Sequence, residues 1–446
     1  MTAYCVVGGG ISGLVAAYRL RQAQPDAQIT IIDPADRLGG ILRTEHVAGQ
    51  RMDLGAEAFV ARRPEVSDLL AELGLNKVSP TGVRPLICSG ARLHPMPTGT
   101  VQGVPARSVE LRGLVDDATL HQIDTEATRP LRWRPGDDPS VADLVGDRFG
   151  DQVVTRSVDP LLSGVYSGSS AGIGLRAALP ALAAHLDRGA ATLTAAVRAA
   201  LAAAPANAGP VFGAVDGGYQ VLIEALLART HAHWAQVGIE KIARAEHGWQ
   251  LIDDGGAAWS ADNLVLAVPA PRLARLVADI APRTAAAATK IQVASAVVVA
   301  LALPGGTPVP QQSGVLVAAG ERLRTKAITL TSRKWGRGGN VELLRLSYGR
   351  FGEDIARTAA DDELLSWAVA DLREVFGIDA EPVDHRVQRW VDAMPQYGPG
   401  HAALVTELRA GLPVGVAVAG GYLDGIGVPA CVASGTRAAA ELAAGR

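Results

Sequence analysis

The sequence predicts an α/β chain: a Rossmann-type dinucleotide-binding domain, a second domain carried on a mixed sheet, and a helical insertion. Three features of the 446 residues point there. A strand, a glycine-rich turn and a helix follow one another at residues 3 to 23. A buried strand, a second glycine-rich turn and a long Ala-rich helix stand at the other end. The residues between alternate strand-like and helical stretches. At 48% hydrophobic and 20% charged residues the composition is globular, with enough apolar surface for two or three cores.

The first element is the stretch "AYCVVGGGISGLVAAYRL". Its "AYCVV" is a β-rich apolar run, Gly8, Gly10 and Gly13 stand in GxGxxG register, and Leu14, Ala17, Tyr18 and Arg21 recur at helical spacing. In that setting Gly8 permits a tight turn, Gly10 lets backbone approach a pyrophosphate, and Gly13 lets helix pack on strand. Ser12 stands in the first helical turn, whose N–H groups face the phosphates. A second strand, "QITIID", ends at Asp33, twenty residues beyond Gly13, where an acid suits a ribose hydroxyl. Glycines alone would also fit a turn that binds nothing. Strand, helix, second strand and acid in this order favour a dinucleotide.

Directly after Asp33 come "PADRLGGILRT" and, at 52 to 59, "MDLGAEAF". An acid, an Arg and two glycines after the second strand resemble the signature of the FAD-dependent amine oxidase and protoporphyrinogen oxidase superfamily. The resemblance implies FAD as cofactor and an amine oxidase-like fold. It puts Arg37 near the FAD phosphates, Gly39, Gly40 and Arg43 along the flavin side, and Gly55 with Ala56 beneath the cofactor. Outside this motif Arg37 would read as a solvated surface charge; within it, guanidinium and pyrophosphate make a charge-assisted pair.

The segment "GVAVAGGYLDGIGVPACVASGTRAAAELAA" supplies the other half. It reads as a buried strand, a glycine-rich turn and a helix beginning near Val428, with Pro429 suited to the first turn. Reduced flavin gathers negative charge around its pyrimidine ring, and a helix N-terminus complements that charge. In the family this segment closes over FAD, so Gly421, Gly427 and Val428 are candidate backbone contacts. A plain glycine-rich connection is the competing reading.

Between the ends, residues 98 to 205 carry helix-like runs and an Ala-rich stretch at 190 to 206. "GAVDGGYQVLIEALLART" returns to the cofactor domain, and the family's strand supporting the adenine end maps near Ile239. "ITLTSRKW" and "VELLRLSYGR" read as strands of the mixed sheet. The expected division is residues 1–80, 208–270 and 403–446 for FAD binding, 81–97 and 271–402 for substrate, and 98–207 for the helical domain.

Several function classes are disfavoured. A net charge of −3 gives no global field for nucleic acid. Cys5, Cys88 and Cys431 are scattered, without zinc spacing or the density of a disulfide scaffold, which fits a reducing cytoplasm. The N-terminus reads as a strand rather than a signal peptide, and the apolar run 294–304 is too short to span a bilayer. Peripheral membrane contact stays open. No metal cluster, CxxC or second GxGxxG unit is evident, so the flavin is expected to take hydride from substrate directly, with oxygen restoring it.

"DPLLSGVYSG", "GGYQVLIEAL", "RWVDAMPQYGPGH" and "GYLDGIGVPAC" resemble the bacterial protoporphyrinogen and coproporphyrinogen III oxidases of haem synthesis. One departure is Ser167, Gly168 and Ser169, where the family commonly has Ala, Gly and Asp. The resemblance implies oxidation of a porphyrinogen to a porphyrin, hydrogen peroxide as by-product, and transient contact with a ferrochelatase; cations at Arg43 and Arg84 and the lack of an evident membrane anchor favour the tetracarboxylate coproporphyrinogen III. The resemblance gives no protein acid or base; Arg43 and Arg84 are the expected partners of substrate propionates. Arg322, Arg324 and Lys326, at period two, suggest one cationic strand face, which is more often solvated than ligand-bound. Protoporphyrinogen IX as substrate, an amine oxidase or desaturase, and a flavin-bearing porphyrin carrier remain alternatives.

Overall fold

A computed structural model describes residues 1–203 and 209–445 of the chain, so the expected boundary at 207/208 lies outside the described residues. In chain order, β1 (Ala3–Val7), α1 (Ile11–Ala23) and β2 (Gln28–Ile32) open the fold, and β3 (Leu86–Ser89) and β4 (Arg92–Pro95) form a hairpin. Helical segments dominate residues 117–202, among them α2 (Asp159–Tyr166). Then come α3 (Tyr219–Thr230), β5 (His233–Ala235), β6 (Asn263–Leu266), β7 (Val293–Pro304), β8 (Gly314–Val317), β9 (Ala327–Leu330) and α4 (Thr331–Trp335). The remainder holds β10 (Val341–Tyr348), β11 (Asp384–Pro395), α5 (His401–Ala410), β12 (Val416–Val418) and α6 (Val428–Ala443).

The first sheet is parallel, in the order β5-β2-β1-β6-β12, with Val6 opposite Ile31 on one side and Val265 on the other. α1, α3 and α6 cover one face and a three-stranded antiparallel sheet over residues 239–261 packs on the other, so the central strands are continuously apolar rather than alternating. α1 buries nearly its whole first half because it lies between the sheet and α6. The two helices meet almost backbone to backbone: a Cβ on Gly435 would stand 2.3 Å from the Ser12 carbonyl oxygen. Each fully buried Leu or Ile here, such as Leu14, Leu20 and Ile31, contributes about 1.5–3 kcal/mol of transfer free energy.

The second sheet has seven strands in the order β11-β7-β10-β9-β8-β3-β4, parallel only between β8 and β3. The apolar run at 294–304 is its β7, paired on both sides and buried along almost its whole length. Two sequence expectations are corrected here. Of "ITLTSRKW" only the first three residues belong to a strand, the end of Ala327–Leu330; Thr331–Trp335 turns into α4, where the Ser332 hydroxyl accepts the Leu343 N–H at 2.8 Å and Gly336, at φ 66°, ends the helix. Arg322, Arg324 and Lys326 share no strand face, because the strand begins at Ala327. Arg322 and Arg324 are exposed, whereas Lys326 is buried.

The helical segment is joined to this sheet by specific polar contacts. The Phe351 N–H donates to the Ser167 carbonyl at 2.6 Å, the Gly174 N–H to the Tyr397 carbonyl at 2.7 Å, and the Gln396 amide to the Tyr166 carbonyl at 2.8 Å. "MPQYGPGH" is therefore a junction between layers, not a loose surface connection.

Candidate cofactor cavity and active site

A cavity of about 530 Å³ opens where β1, β2, β6 and β12 end, lined there by Gly8, Asp33, Ala267 and Gly420. Such a crevice at the carboxyl ends of parallel strands is where open α/β sheets bind ligands. Gly10, Ser12, Gly39, Gly40, Ile239 and Gly421 also line it, so eight of the sequence-predicted contacts converge on one space.

The three glycines of the opening turn have different reasons to be glycine. A Cβ on Gly8, at φ 111°, would stand 2.3 Å from the Ala267 carbonyl oxygen, and one on Gly13 would stand 2.0 Å from the Gly8 carbonyl oxygen. Gly8 is held by its positive φ and by the backbone that follows β6, and Gly13 by the packing of α1 on the turn after β1. Gly10, at φ −70° and ψ 172°, is in ordinary extended backbone, and its Cβ would meet nothing nearer than the Gly40 Cα at 3.9 Å. The space in front of Gly10 is empty of protein, which fits a ligand lying against that peptide. Asp33 braces the turn: one carboxylate oxygen accepts the Gly9 N–H at 2.6 Å and the other the Ala35 N–H at 2.9 Å. Each oxygen keeps a lone pair for a ribose hydroxyl. A free helix N-terminus, an acid beyond it and a long, largely apolar trough together fit FAD.

Arg37 departs from its expected place. Its guanidinium donates to the carbonyls of Gly40 at 2.6 Å, Leu42 at 2.9 Å and Leu38 at 3.2 Å, so it clamps the Gly39–Gly40 turn and is absent from the cavity lining. Burial, then the adjacent Arg43, lowers its pKa. Gly39 and Gly40, at φ 113° and 58°, bring the turn against Gly9 and Gly10, with the Gly39 N–H donating to the Gly9 carbonyl at 2.8 Å. Arg43 pairs with Glu45 at 2.6 Å. Gly55 and Ala56 stand one layer back, outside the lining, where a Cβ on Gly55 would lie 1.6 Å from the Ile41 carbonyl oxygen.

The C-terminal wall is formed by Gly420 to Tyr422, Ile426 and Cys431. Gly427 is the extended residue that starts α6, and Val428 with Pro429 fills its first turn, so the N–H groups of that turn are unclaimed by any side-chain cap. Burial raises the Cys431 thiol to about 11, which leaves it unreactive. Sequence reasoning missed what holds this wall. The His401 Nε2–H donates to the carbonyls of Tyr422 at 2.9 Å and Leu423 at 3.1 Å, and Arg409 pairs with Asp424 at 2.5 Å, so α5 grips the segment by both partners. Burial lowers the His401 pKa, which favours the neutral ring with its proton on Nε2.

A second missed residue is Asp392. It lines the cavity with Ala393 and Pro395 at a bulge between β11 and β7, in left-handed backbone at φ 51°. Its N–H donates to the Ser295 hydroxyl at 2.9 Å, and its carboxylate pairs with Arg357 at 2.7 Å. A non-glycine residue held in that region at a site's edge is over-determined by its surroundings. No local signal in "RWVDAMP" marks it.

Arg84 is exposed and outside the cavity lining, donating to the Met96 carbonyl at 3.1 Å and the Pro97 carbonyl at 3.5 Å. Arg324 lies over the Trp367 ring, 4.2 Å from its centroid, in a separate cleft. Among the described residues no cluster of His, Cys, Asp or Glu is arranged to hold a metal, and no helix is long and apolar enough to cross a membrane.

The profile of the flavin-containing amine oxidoreductase family matches residues 11–443. The chain is 64% identical over 438 residues to a Mycobacterium tuberculosis protein named coproporphyrinogen III oxidase, covering 98% of this chain and 96% of that one. It is 61% identical over 444 residues to a Mycobacterium leprae protein of the same name, covering 99% and 98%. Among solved structures it is similar to an Exiguobacterium protein provisionally assigned as a protoporphyrinogen oxidase, at a TM-score of 0.89 and 27% identity over 100% and 99% of the two chains.

Proposed function

Because the chain belongs to the flavin-containing amine oxidoreductase family, we propose that it is the FAD enzyme that oxidises coproporphyrinogen III to coproporphyrin III in haem synthesis. The observation that carries this reading is identity of 64% and 61% over nearly the whole length of relatives bearing that name. Gly8, Gly10 and Ser12 would hold the pyrophosphate at the start of α1, which Gly13 lets pack close to the turn, with Asp33 holding the ribose and Ile239 the adenine side. Gly39 and Gly40, their turn clamped by Arg37, would face the flavin side, backed by Gly55 and Ala56. Gly421, Gly427 and Val428 would present backbone N–H groups to the ring. Bound FAD supplies the two-electron acceptor, so the six-electron oxidation of a porphyrinogen takes three turns, each reducing one oxygen molecule to hydrogen peroxide.

The protein's own part is to bind and orient. Arg43, half-exposed beside the cavity turn, and Arg84, exposed at the start of β3, would meet propionates. Coproporphyrinogen carries four propionates and protoporphyrinogen two, so a site for the former needs cations at an open mouth. We propose further that the product passes by transient contact to a ferrochelatase in the cytoplasm, at or near a membrane surface.

The test compares both porphyrinogens in air with the purified protein, following porphyrin fluorescence. Coproporphyrinogen is expected to give the higher kcat/KM, and added salt to weaken it more than the dicarboxylate. Arg84→Ala is expected to raise KM more than it lowers kcat. A preference for protoporphyrinogen overturns the substrate assignment and leaves the FAD oxidase standing.

A further inference from the structure

The loop Leu54–Glu57 packs directly behind Ile41, which lines the cofactor cavity, and the close approach of Gly55 to the Ile41 carbonyl leaves it no room to slide. Its acceptors are taken by side chains from the seven-stranded sheet and α4. Trp390 of β11 donates its indole N–H to the Leu54 carbonyl at 2.8 Å, and Arg345 of β10 donates to the Gly55 carbonyl at 2.8 Å. Lys334 of α4 donates to one oxygen of Glu57 at 2.6 Å, and the Thr331 hydroxyl donates to the other at 3.1 Å. Arg345 stands 4.0 Å from the same carboxylate, and its side chain is 12% exposed against 10% for Glu57. Burial alone would raise the Glu57 carboxyl; Lys334, then Arg345, outweigh it and hold it at about 2, so the carboxylate is charged throughout the working range.

We propose that Glu57 is a positioning residue: with Lys334 and Arg345 it ties the seven-stranded sheet to the wall of the cofactor cavity, so that cofactor and substrate face one rigid unit. This rests on the FAD reading above. The tie works through displacement. Loss of the Glu57 charge leaves Lys334 and Arg345 as poorly solvated cations that repel, and because Gly55 abuts Ile41, any shift of the loop passes to the cavity wall. Removal of both Glu57 and Lys334 charges takes away most of that repulsion.

The experiment uses the full-length holoprotein as E57Q, K334M, the E57Q/K334M double variant, and R333M. Arg333 neighbours Lys334 but pairs with Glu342 at 2.9 Å rather than with the loop, so R333M reports what loss of an α4–β10 ion pair does by itself. Three quantities are read: the melting temperature, the rate of FAD release, and the visible flavin band. All single variants are expected to melt lower. Only E57Q and K334M are expected to release FAD about tenfold faster and to shift the flavin band, with partial recovery in the double variant. FAD release at the parental rate with an unchanged band in E57Q, or the same change in R333M, overturns the tie; if E57Q does not fold, K334M decides alone. A parent protein that neither carries nor takes up FAD overturns the cofactor reading instead.

Discussion

The Nζ of Lys326 donates to the hydroxyl oxygen of Ser167 at 2.6 Å, across the junction between the seven-stranded sheet and the end of α2. Its other contact is the Gly349 carbonyl, also at 2.6 Å. Two acceptors satisfy the two N–H donors of a neutral amine and leave the third proton of an ammonium without a partner. Burial, then Arg350, lowers the Lys326 pKa to about 7, with Glu353 acting in the opposite direction. Ser167 is one of the residues at which this chain departs from the commoner Ala of the family motif, and its hydroxyl has a structural use: it receives this lysine.

Lys326 makes stability depend on pH in a stated direction. The unfolded chain binds this proton below about pH 10.5, whereas the folded chain does so only below about 7, so stability rises with pH through that interval. Lys326→Met removes this dependence. Relative to the variant, the parent should gain about 2–3 kcal/mol between pH 7 and pH 9, at about 1.4 kcal/mol per pH unit. Chemical denaturation at the two pH values measures it; a parent–variant difference independent of pH would show that Lys326 is charged in the fold.

The two classes of glycine in the opening turn predict two phenotypes. Gly13→Ala puts a Cβ into the Gly8 carbonyl and should lower the melting temperature of the protein even without cofactor. Gly10→Val meets open cavity instead, so the variant should fold with a near-parental apoprotein melt and be purified colourless. Flavin absorbance per protein, read beside circular dichroism, separates them. Full FAD in Gly10→Val would remove the pyrophosphate from this turn.

Asp33 has two duties, and its substitutions should be graded. Asp33→Ala loses the acceptor for the Gly9 N–H and for any ribose hydroxyl, and should weaken FAD by about 1–3 kcal/mol. Asp33→Asn keeps one acceptor oxygen and should fall between parent and Ala. Fluorescence titration of apoprotein with FAD gives the constants; equal loss in both variants would mean that the charge, not the acceptor geometry, matters.

Local backbone demands were what the sequence displayed best. Gly8, at φ 111°, and Gly13, which abuts the Gly8 carbonyl, answer backbone demands within one strand–turn–helix unit, Asp33 follows β2 directly, and Pro429 stands where α6 begins, so each was readable from neighbours in the chain. Contacts made across the fold left no such trace. Glu57 meets Lys334 and Arg345, His401 meets Tyr422, and Asp392 meets Ser295 and Arg357, all pairings between elements distant in the chain that only the tertiary fold brings together. The "TSRKW" error has the same origin: Ser332 leaves the strand to satisfy an N–H of β10, a tertiary contact that overrides a β-like pattern. Arg37 fits the motif by position, yet its guanidinium serves the carbonyls of its own turn.

The seam between α1 and α6 has a consequence for biosynthesis. Gly10 and Gly421 wall the same cavity, and Gly435 seats against Ser12, so the first and last structural units of the chain complete each other. A ribosome delivers them in order, at roughly 5–20 residues per second. The nascent βαβ unit thus waits tens of seconds with its trough open on the side α6 will cover. On the proposed site, cofactor capture would be a late event that awaits α6, and a ribosome that stops short of β12 would release a product with the nucleotide signature intact and nothing to close over it.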